Sequence, residues 1–286
     1  MAFLPCNACV ELTAKKIILG LLLVSDGRAL TVRSLIDACA LFGIKENNVR
    51  VTLTRLSADG LIEASSRGAY ALGPPVLSLA DQVATWQTME QQLGPWHGGF
   101  VAVYTGTLTR SNRKALRQRE RALEMCGLRE LDPDLYVRPD NFQGGAEFIR
   151  QRLRALGMEA EAAVFAASDF DGERRERVAK LWDGRSLDAH YRKDQQRLED
   201  WLGRYQMLEQ EVAAREVYIM GAQAVRSLVF DPWLPAPMID EAARHAYLET
   251  VKRFDDTGKA LWDRRFQIRI GMPYMTEEQP TSGVLQ

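Results

Sequence analysis

Apolar positions recur every three to four residues through most of the chain, broken by shorter stretches of alternation, so helices with a few strands between them are expected. Thr13 to Ser25 and Leu30 to Phe42 carry the helical period. Thr31 is placed to cap the second helix, Leu35, Ile36 and Leu41 point inward, and Gly43 ends it. The next stretch, Asn48-Val49-Arg50-Val51-Thr52-Leu53-Thr54-Arg55-Leu56, satisfies two periods at once. Val49, Val51 and Leu53 alternate with polar residues as in a half-buried strand, yet Val49, Leu53 and Leu56 also stand at i, i+4 and i+7 of an amphipathic helix. Asp59-Gly60 stops the stretch, and Leu61 to Ser65 and Ala69 to Leu72 read as two strands around Ser66-Arg67-Gly68. Two helices, a tight turn and a hairpin surround the ambiguous segment, which leaves a strand there without a partner. A helix is therefore expected, completing the layout of a winged helix-turn-helix.

Residues 76–95 are expected to form a connecting helix closed by Gly94-Pro95. A strand over Trp96 to Tyr104, an arginine-rich helix from about Arg110 to Cys126, an extended segment over Leu135 to Pro139, a helix from about Gly145 to Leu156 and a strand over Ala162 to Ala166 follow. That alternation predicts a small ferredoxin-like α+β unit. From Glu173 the pattern is helical, with long segments over Leu187 to Leu202, Glu211 to Phe230 and Ile239 to Phe266, interrupted at Asp231 to Pro237. The expected fold class is α+β and multidomain. A flexible lead-in (1–12) precedes a winged helix-turn-helix (13–75) and a linker helix (76–95). A ferredoxin-like middle domain (96–172), a helical C-terminal domain (173–270) and a disordered tail (271–286) complete it.

Composition changes this picture little. The 286 residues, 46% hydrophobic and 26% charged, suit a soluble globular protein of two or three domains, and a net charge of −1 means that any polyanion must be met by a local patch. The longest apolar run, Ile17 to Val24, falls far short of the ~20 residues of a membrane span, so a cytoplasmic location is expected. Cys6, Cys9, Cys39 and Cys126 make no disulfide framework. The Cys6/Cys9 pair lacks the second half of a metal site, and no metal or cofactor is expected.

Local charge is more telling. Residues 1–75 carry eight basic and six acidic side chains, a mild excess of +2. With the 47–58 segment as a helix at ~100° per residue, Asn47, Val51, Thr54 and Ala58 lie opposite the apolar stripe, with Arg50 and Arg55 on the shoulders. Asn pairs bidentately with adenine, Arg with guanine, and Val or Thr methyl groups meet the thymine methyl. Lys45, Asn47, Asn48, Arg50, Val51, Thr54, Arg55 and the turn residue Arg67 are therefore the candidate DNA-contacting set, with Arg33 a weaker phosphate candidate. The arginine-rich helix, with Arg110, Arg113, Lys114, Arg117, Arg119 and Arg121 against Glu120 and Glu124, admits three readings: a solvated face, a cradle for ligand phosphates, or a DNA contact.

Several blocks resemble the PaaX-type repressors, regulators of phenylacetate degradation and related catabolism. They are GIKENNVRVTLTRLSADGLIEASSRGAYAL, then WHGGFVAVYTG with RKALRQRERALEMCGL and LDPDLYVRPDN, then FDPWLPAPMI, in that order from about residue 15 to 265. The resemblance implies a homodimeric repressor that binds a pseudo-palindromic operator in double-stranded DNA and is released by an aromatic acyl-CoA such as phenylacetyl-CoA. Two departures stand out: Lys45 occupies a position where the family usually has a capping Ser or Thr, and Met238 to Ala242 replace a Trp-Pro-Gly. For the effector, Arg113, Lys114 and Arg117 are the candidate phosphate contacts and Trp182, Tyr191 and Trp233 the candidate aromatic lining, with Asp231 to Pro237 as a pocket wall. The alternative is a nucleic-acid-processing enzyme built on the middle domain. Against it, the end of the first strand there, Val103-Tyr104-Thr105-Gly106, has no carboxylate to hold a metal. A third reading is an adaptor whose winged helix binds protein.

Overall fold

The computed structural model describes residues 12–25, 28–66 and 68–266. The expected lead-in up to residue 11, the Cys6/Cys9 pair, Arg67 and the tail beyond residue 266 lie outside the described residues. The chain divides into two compact units. One comprises the described residues up to Gly73 with 262–266, and the other is Pro74–Leu261.

The first unit begins with α1 (Ala14–Leu23), whose N-cap Thr13 accepts a hydrogen bond from the Lys16 amide. A two-residue strand, β1 (Leu30–Thr31), leads into α2 (Val32–Ala40), and Thr31 caps that helix by accepting from the Ser34 amide at 3.1 Å. The helix α3 (Glu46–Ala58) covers the ambiguous stretch. Its burial decides between the two periods. Val49, Leu53 and Leu56 are buried, whereas Val51, which a strand would place on the same face as Val49 and Leu53, is 42% exposed. Strands β2 (Ile62–Ser66) and β3 (Ala69–Leu72) form the hairpin, with Ile62 opposite Leu72, and β1 pairs with the outer side of β3. The sheet order is β1-β3-β2, all antiparallel. Gly73 passes so close to Gly60 that an added Cβ would lie 2.2 Å from the Gly60 carbonyl oxygen, so only glycine lets the chain leave the hairpin there. Ile17, Ile18, Leu21, Leu22, Leu35, Leu53, Leu56 and Ile62 supply the core. Two expectations change: Leu30 and Thr31 belong to a strand rather than the helix, and Leu41 is half-buried just past the end of α2.

The second unit opens with α4 (Pro74–Ala84). The single helix expected over 76–95 is not formed: two 3-10 turns over 85–87 and 89–92 break it, and they bury Trp86 and Met89. The strands are β4 (Phe100–Tyr104), β5 (Arg129–Asp132), β6 (Leu135–Pro139) and β7 (Ala163–Ala167), with α5 (Arg113–Met125) and α6 (Gly145–Ala155) between them. They follow in the order β-α-β-β-α-β and pair antiparallel as β5-β6-β4-β7. The central β4 buries Val101, Ala102 and Val103, while Phe100 and Ala102 join Leu131, Val137 and Val178 in one apolar cluster. Trp96 meets Phe100 edge-on at 5.7 Å, and Phe170 does so at 5.4 Å.

After α7 (Gly172–Val178) come three long helices, α8 (Gly184–Arg204), α9 (Gln210–Val229) and α10 (Glu241–Phe266). Tyr191 stacks on Tyr247 at 5.9 Å, and Trp201 tilts against Phe254 at 4.9 Å. The α9–α10 connection is pinned by buried polar groups. Asp231 accepts from the Tyr191 hydroxyl at 2.6 Å and from the Trp233 amide at 2.7 Å. Asn141 donates to the Trp233 carbonyl at 2.7 Å and accepts from Arg138 at 2.9 Å. Burial pulls Arg138 down to about 9. Its guanidinium also donates to the carbonyls of Cys126 and Pro139 and lies 4.2 Å from the Phe142 ring centroid. Gly127, at φ +69°, comes so near Pro232 that a side chain there would clash with its backbone.

Replacing Asp231 with Ala strands the Tyr191 hydroxyl and the Trp233 amide in the interior, and each unmet buried donor costs about 1–3 kcal/mol. Urea denaturation of Asp231→Ala is expected to show a loss of about 3–5 kcal/mol, with Asp231→Asn losing less; a loss below about 1 kcal/mol for Asp231→Ala contradicts the assignment.

Candidate nucleic-acid interface

The three buried side chains of α3 set its rotation, and the remainder of the helix is presented to solvent. Asn47, Asn48, Arg50, Val51, Thr54 and Arg55 are all exposed. The helix entry is unusual. Lys45 is the N-cap and makes no side-chain cap; its carbonyl is the acceptor for the Asn48 amide at 3.0 Å and the Val49 amide at 3.3 Å. With no side-chain acceptor at the cap, the helix forgoes a cap worth about 1 kcal/mol, and the Glu46 carboxylate in the first turn is the acidic group that complements its positive end.

Arg50 is held by an ion pair at i,i+4: its Nε donates to Glu46 Oε1 at 2.9 Å, with more than half of each side chain exposed. Glu46 is not among the residues expected from the sequence to contact DNA, although its spacing from Arg50 is the usual signature of such a pair. The Thr54 hydroxyl donates to the Arg50 carbonyl at 3.1 Å, and the Thr52 hydroxyl to the Asn48 carbonyl at 2.7 Å. Both threonines thereby commit their donor to the backbone and keep acceptor capacity. Arg33 is paired with Asp37 at 3.0 Å on α2. Arg67 lies outside the described residues, and next to it Gly68 turns at φ +80° and accepts from the Val32 amide at 2.9 Å.

The six candidate ligand residues fall into two groups. Tyr191 and Trp233 are buried and meet through Asp231, and Trp182 donates to the Gly127 carbonyl at 3.3 Å. Trp182, by that bond, and Trp233, next to the Pro232 that packs on Gly127, are tied to the C-terminal end of α5. Arg113, Lys114 and Arg117 are exposed at its N-terminal end. At 1.5 Å per residue, Arg113 and Gly127 are about 20 Å apart, so the two groups do not converge on one pocket. Arg119, within the same basic run, turns inward instead, 3% exposed, and pairs with Glu159 at 2.6 Å. Hydrogen bonding from Arg119 holds the Glu159 carboxyl below its ordinary range. Beside the end of β4 the carboxylate of Asp134, from the β5–β6 turn, accepts from the Thr105 hydroxyl and is paired with Arg110. Among the described residues no group of three or more His, Cys, Asp or Glu is placed to hold a metal ion, and no helix is long and apolar enough to cross a membrane.

Residues 13–74 match the family described as PaaX-like protein, and residues 182–264 match the PaaX-like protein C-terminal domain. Together the two matches cover about half of the chain. The chain belongs to the PaaX-like family. Its PaaX-like domains are those of transcriptional regulators, and the first of them contains the whole of α3. Among solved structures, the uncharacterized protein Rv0674 from Mycobacterium tuberculosis has a similar fold, with a TM-score of 0.54 at 22% identity, over 87% of this chain and 98% of that one. No curated protein matches the chain by sequence.

Within this PaaX-like N-terminal region, Lys45 leaves α3 without a side-chain cap and Glu46 holds Arg50 in an exposed ion pair. Lys45→Ser supplies the missing cap and is expected to raise stability by about 1 kcal/mol while weakening duplex DNA binding. Glu46→Ala frees Arg50, destabilises by no more than about 0.5 kcal/mol and is expected to tighten binding. Thermal melts with anisotropy titrations check both, and Lys45→Ser binding as tightly as the parent protein contradicts the role given to Lys45.

Proposed function

We propose that the chain is a DNA-binding transcriptional repressor whose α3 reads the major groove. The reading rests on one observation: a helix with Val49, Leu53 and Leu56 buried presents Asn47, Arg50, Val51, Thr54 and Arg55 together on its exposed side, inside the segment that matches the PaaX-like description. In this account residues 13–75 act as a winged helix-turn-helix, with Arg67 and Lys45 contacting phosphate or minor groove. Residues 96–172 form a ferredoxin-like middle domain, and α7 to α10 a helical domain. The protein acts as a homodimer, so that two α3 helices meet successive major grooves of a pseudo-palindromic operator. An aromatic acyl-CoA, the effector implied by the family resemblance, favours a dimer geometry that no longer fits the operator; only differential affinity for the two geometries drives that shift.

Mobility shift on the protein's own promoter against random duplex, over a range of salt, tests the reading. Asn47→Ala and Arg50→Ala each remove a base-edge interaction, and each is expected to lower promoter preference by about 1–3 kcal/mol while costing no more than about 0.5 kcal/mol of stability. Phenylacetyl-CoA is expected to release the complex. Equal affinity for promoter and random duplex at every salt concentration refutes repressor function, and disappearance of the duplex over time favours the enzymatic alternative.

A further inference from the structure

The exposed row of basic residues on α5 has no structural account. Arg113 and Lys114 stand in the first turn, which contains no acidic residue. Cations there oppose the helix dipole. Arg113 and Arg117, and again Arg117 and Arg121, are like charges at i,i+4, which repel on a helix surface. Several other surface arginines of this unit are neutralised, among them Arg110 by Asp134, Arg150 by Glu147, Arg177 by Asp132 and Arg192 by Asp240. Among the described residues, no ion pair or hydrogen bond ends on the side chains of Arg113, Lys114, Arg117 or Arg121. The backbone at the helix start is already served, since Asn112 Oδ1 accepts from the amides of Lys114 at 3.0 Å and Ala115 at 3.2 Å. What remains unmet is side-chain charge alone.

A row of cations kept against its own helix dipole fits an anionic partner that is itself a row. From Arg113 to Arg121 the helix advances about 12 Å. One strand of B-DNA carries a phosphate about every 3.4 Å of axis, or about three to four over that length. The candidate aromatic residues lie at the opposite end of the helix and offer a small ligand nothing further here.

We propose that Arg113, Lys114, Arg117 and Arg121 form a second DNA contact, one that grips backbone phosphates without reading sequence. The inference rests on the regulator reading and adds to it a contact from the second unit. Contacts of this kind position a protein and carry its salt dependence, while base contacts carry preference.

The test is fluorescence anisotropy of the full-length protein with promoter and random duplexes across a potassium chloride series. For the variant Arg113→Gln/Lys114→Gln/Arg117→Gln/Arg121→Gln, the slope of log affinity against log salt is expected to fall by about one for each phosphate that the row neutralises in the parent protein. Affinity is expected to drop by the same factor on both duplexes, leaving their ratio unchanged. A second variant, Arg113→Glu/Lys114→Glu, separates binding from folding. It complements the helix dipole, so its melting temperature is expected to rise while DNA affinity falls, whereas a purely structural role would move both down. An unchanged salt slope overturns the proposal, as does a loss confined to promoter DNA. An unchanged slope with an abolished thermal response to inorganic pyrophosphate also overturns it and assigns the row to a small anion. A parent protein that binds no DNA at any salt overturns the regulator reading itself, and the α5 contact with it.

Discussion

Burial of Val49, Leu53 and Leu56 fixes the rotation of α3 about its own axis, and what that helix can offer a partner follows from it. The three side chains fall on one stripe because of the helical period, and they are fully enclosed with Ile17, Leu35 and Ile62 in the same unit. Side chains this large each contribute about 1.5–3 kcal/mol on leaving water, so rotating the helix to expose them is strongly opposed. Asn47, Arg50, Val51 and Thr54 are left on the solvent side as a consequence. Val51 is exposed in the middle of that face, and in the proposed reading its methyl groups meet a base edge.

Polar groups in the protein are used in two opposite ways. In the second unit Asp231, Asn141 and Arg138 are buried and satisfied, fastening the irregular Asp231 to Pro237 stretch between Tyr191, the Trp233 backbone and the Cys126 carbonyl. Losing any one leaves its partners without water or protein to bond, which makes the network a determinant of a single packing arrangement. In the first unit, and along α5, charge and backbone polarity are left unmet or merely self-paired at the surface. Lys45 omits a cap, Glu46 holds Arg50 in a weak exposed pair, and Arg113 and Lys114 sit at the wrong end of a helix dipole. The missing cap and the cations at the helix start each slightly destabilise the folded chain, and in the proposed reading a polyanion offsets that loss.

The helical period made α8, α9 and α10 legible to within a few residues, and capping chemistry located Thr31 as an N-cap. Context from neighbouring helices resolved α3 where local alternation misled. Strands β1 and β5 were not legible: one has two residues, and the other, Arg129-Glu130-Leu131-Asp132, is a polar sheet edge with no alternation to read. The break after Ala84 was hidden because Trp86 and Met89 keep a helical spacing while their burial comes from 3-10 turns. At the candidate site, residue type and helical angle pointed to the exposed set on α3, but aromatic composition could not separate pocket from core. Tyr191 and Trp233 are core, and what reveals it is hydrogen bonding to Asp231, 40 residues from Tyr191 in sequence. Arg119 is similar, set apart from its basic neighbours by Glu159, 40 residues away.

The central claim, that α3 lies in the major groove with Arg50 at a base edge, is tested most directly by protection of guanine N7 from dimethyl sulfate along the promoter duplex. The account predicts guanines protected in two half-sites one helical turn apart, or a multiple of it, with one guanine in each half-site regaining reactivity when Arg50→Ala replaces the parent protein. A protection pattern identical in both proteins, or a bound duplex whose guanine N7 positions all remain reactive, would contradict it.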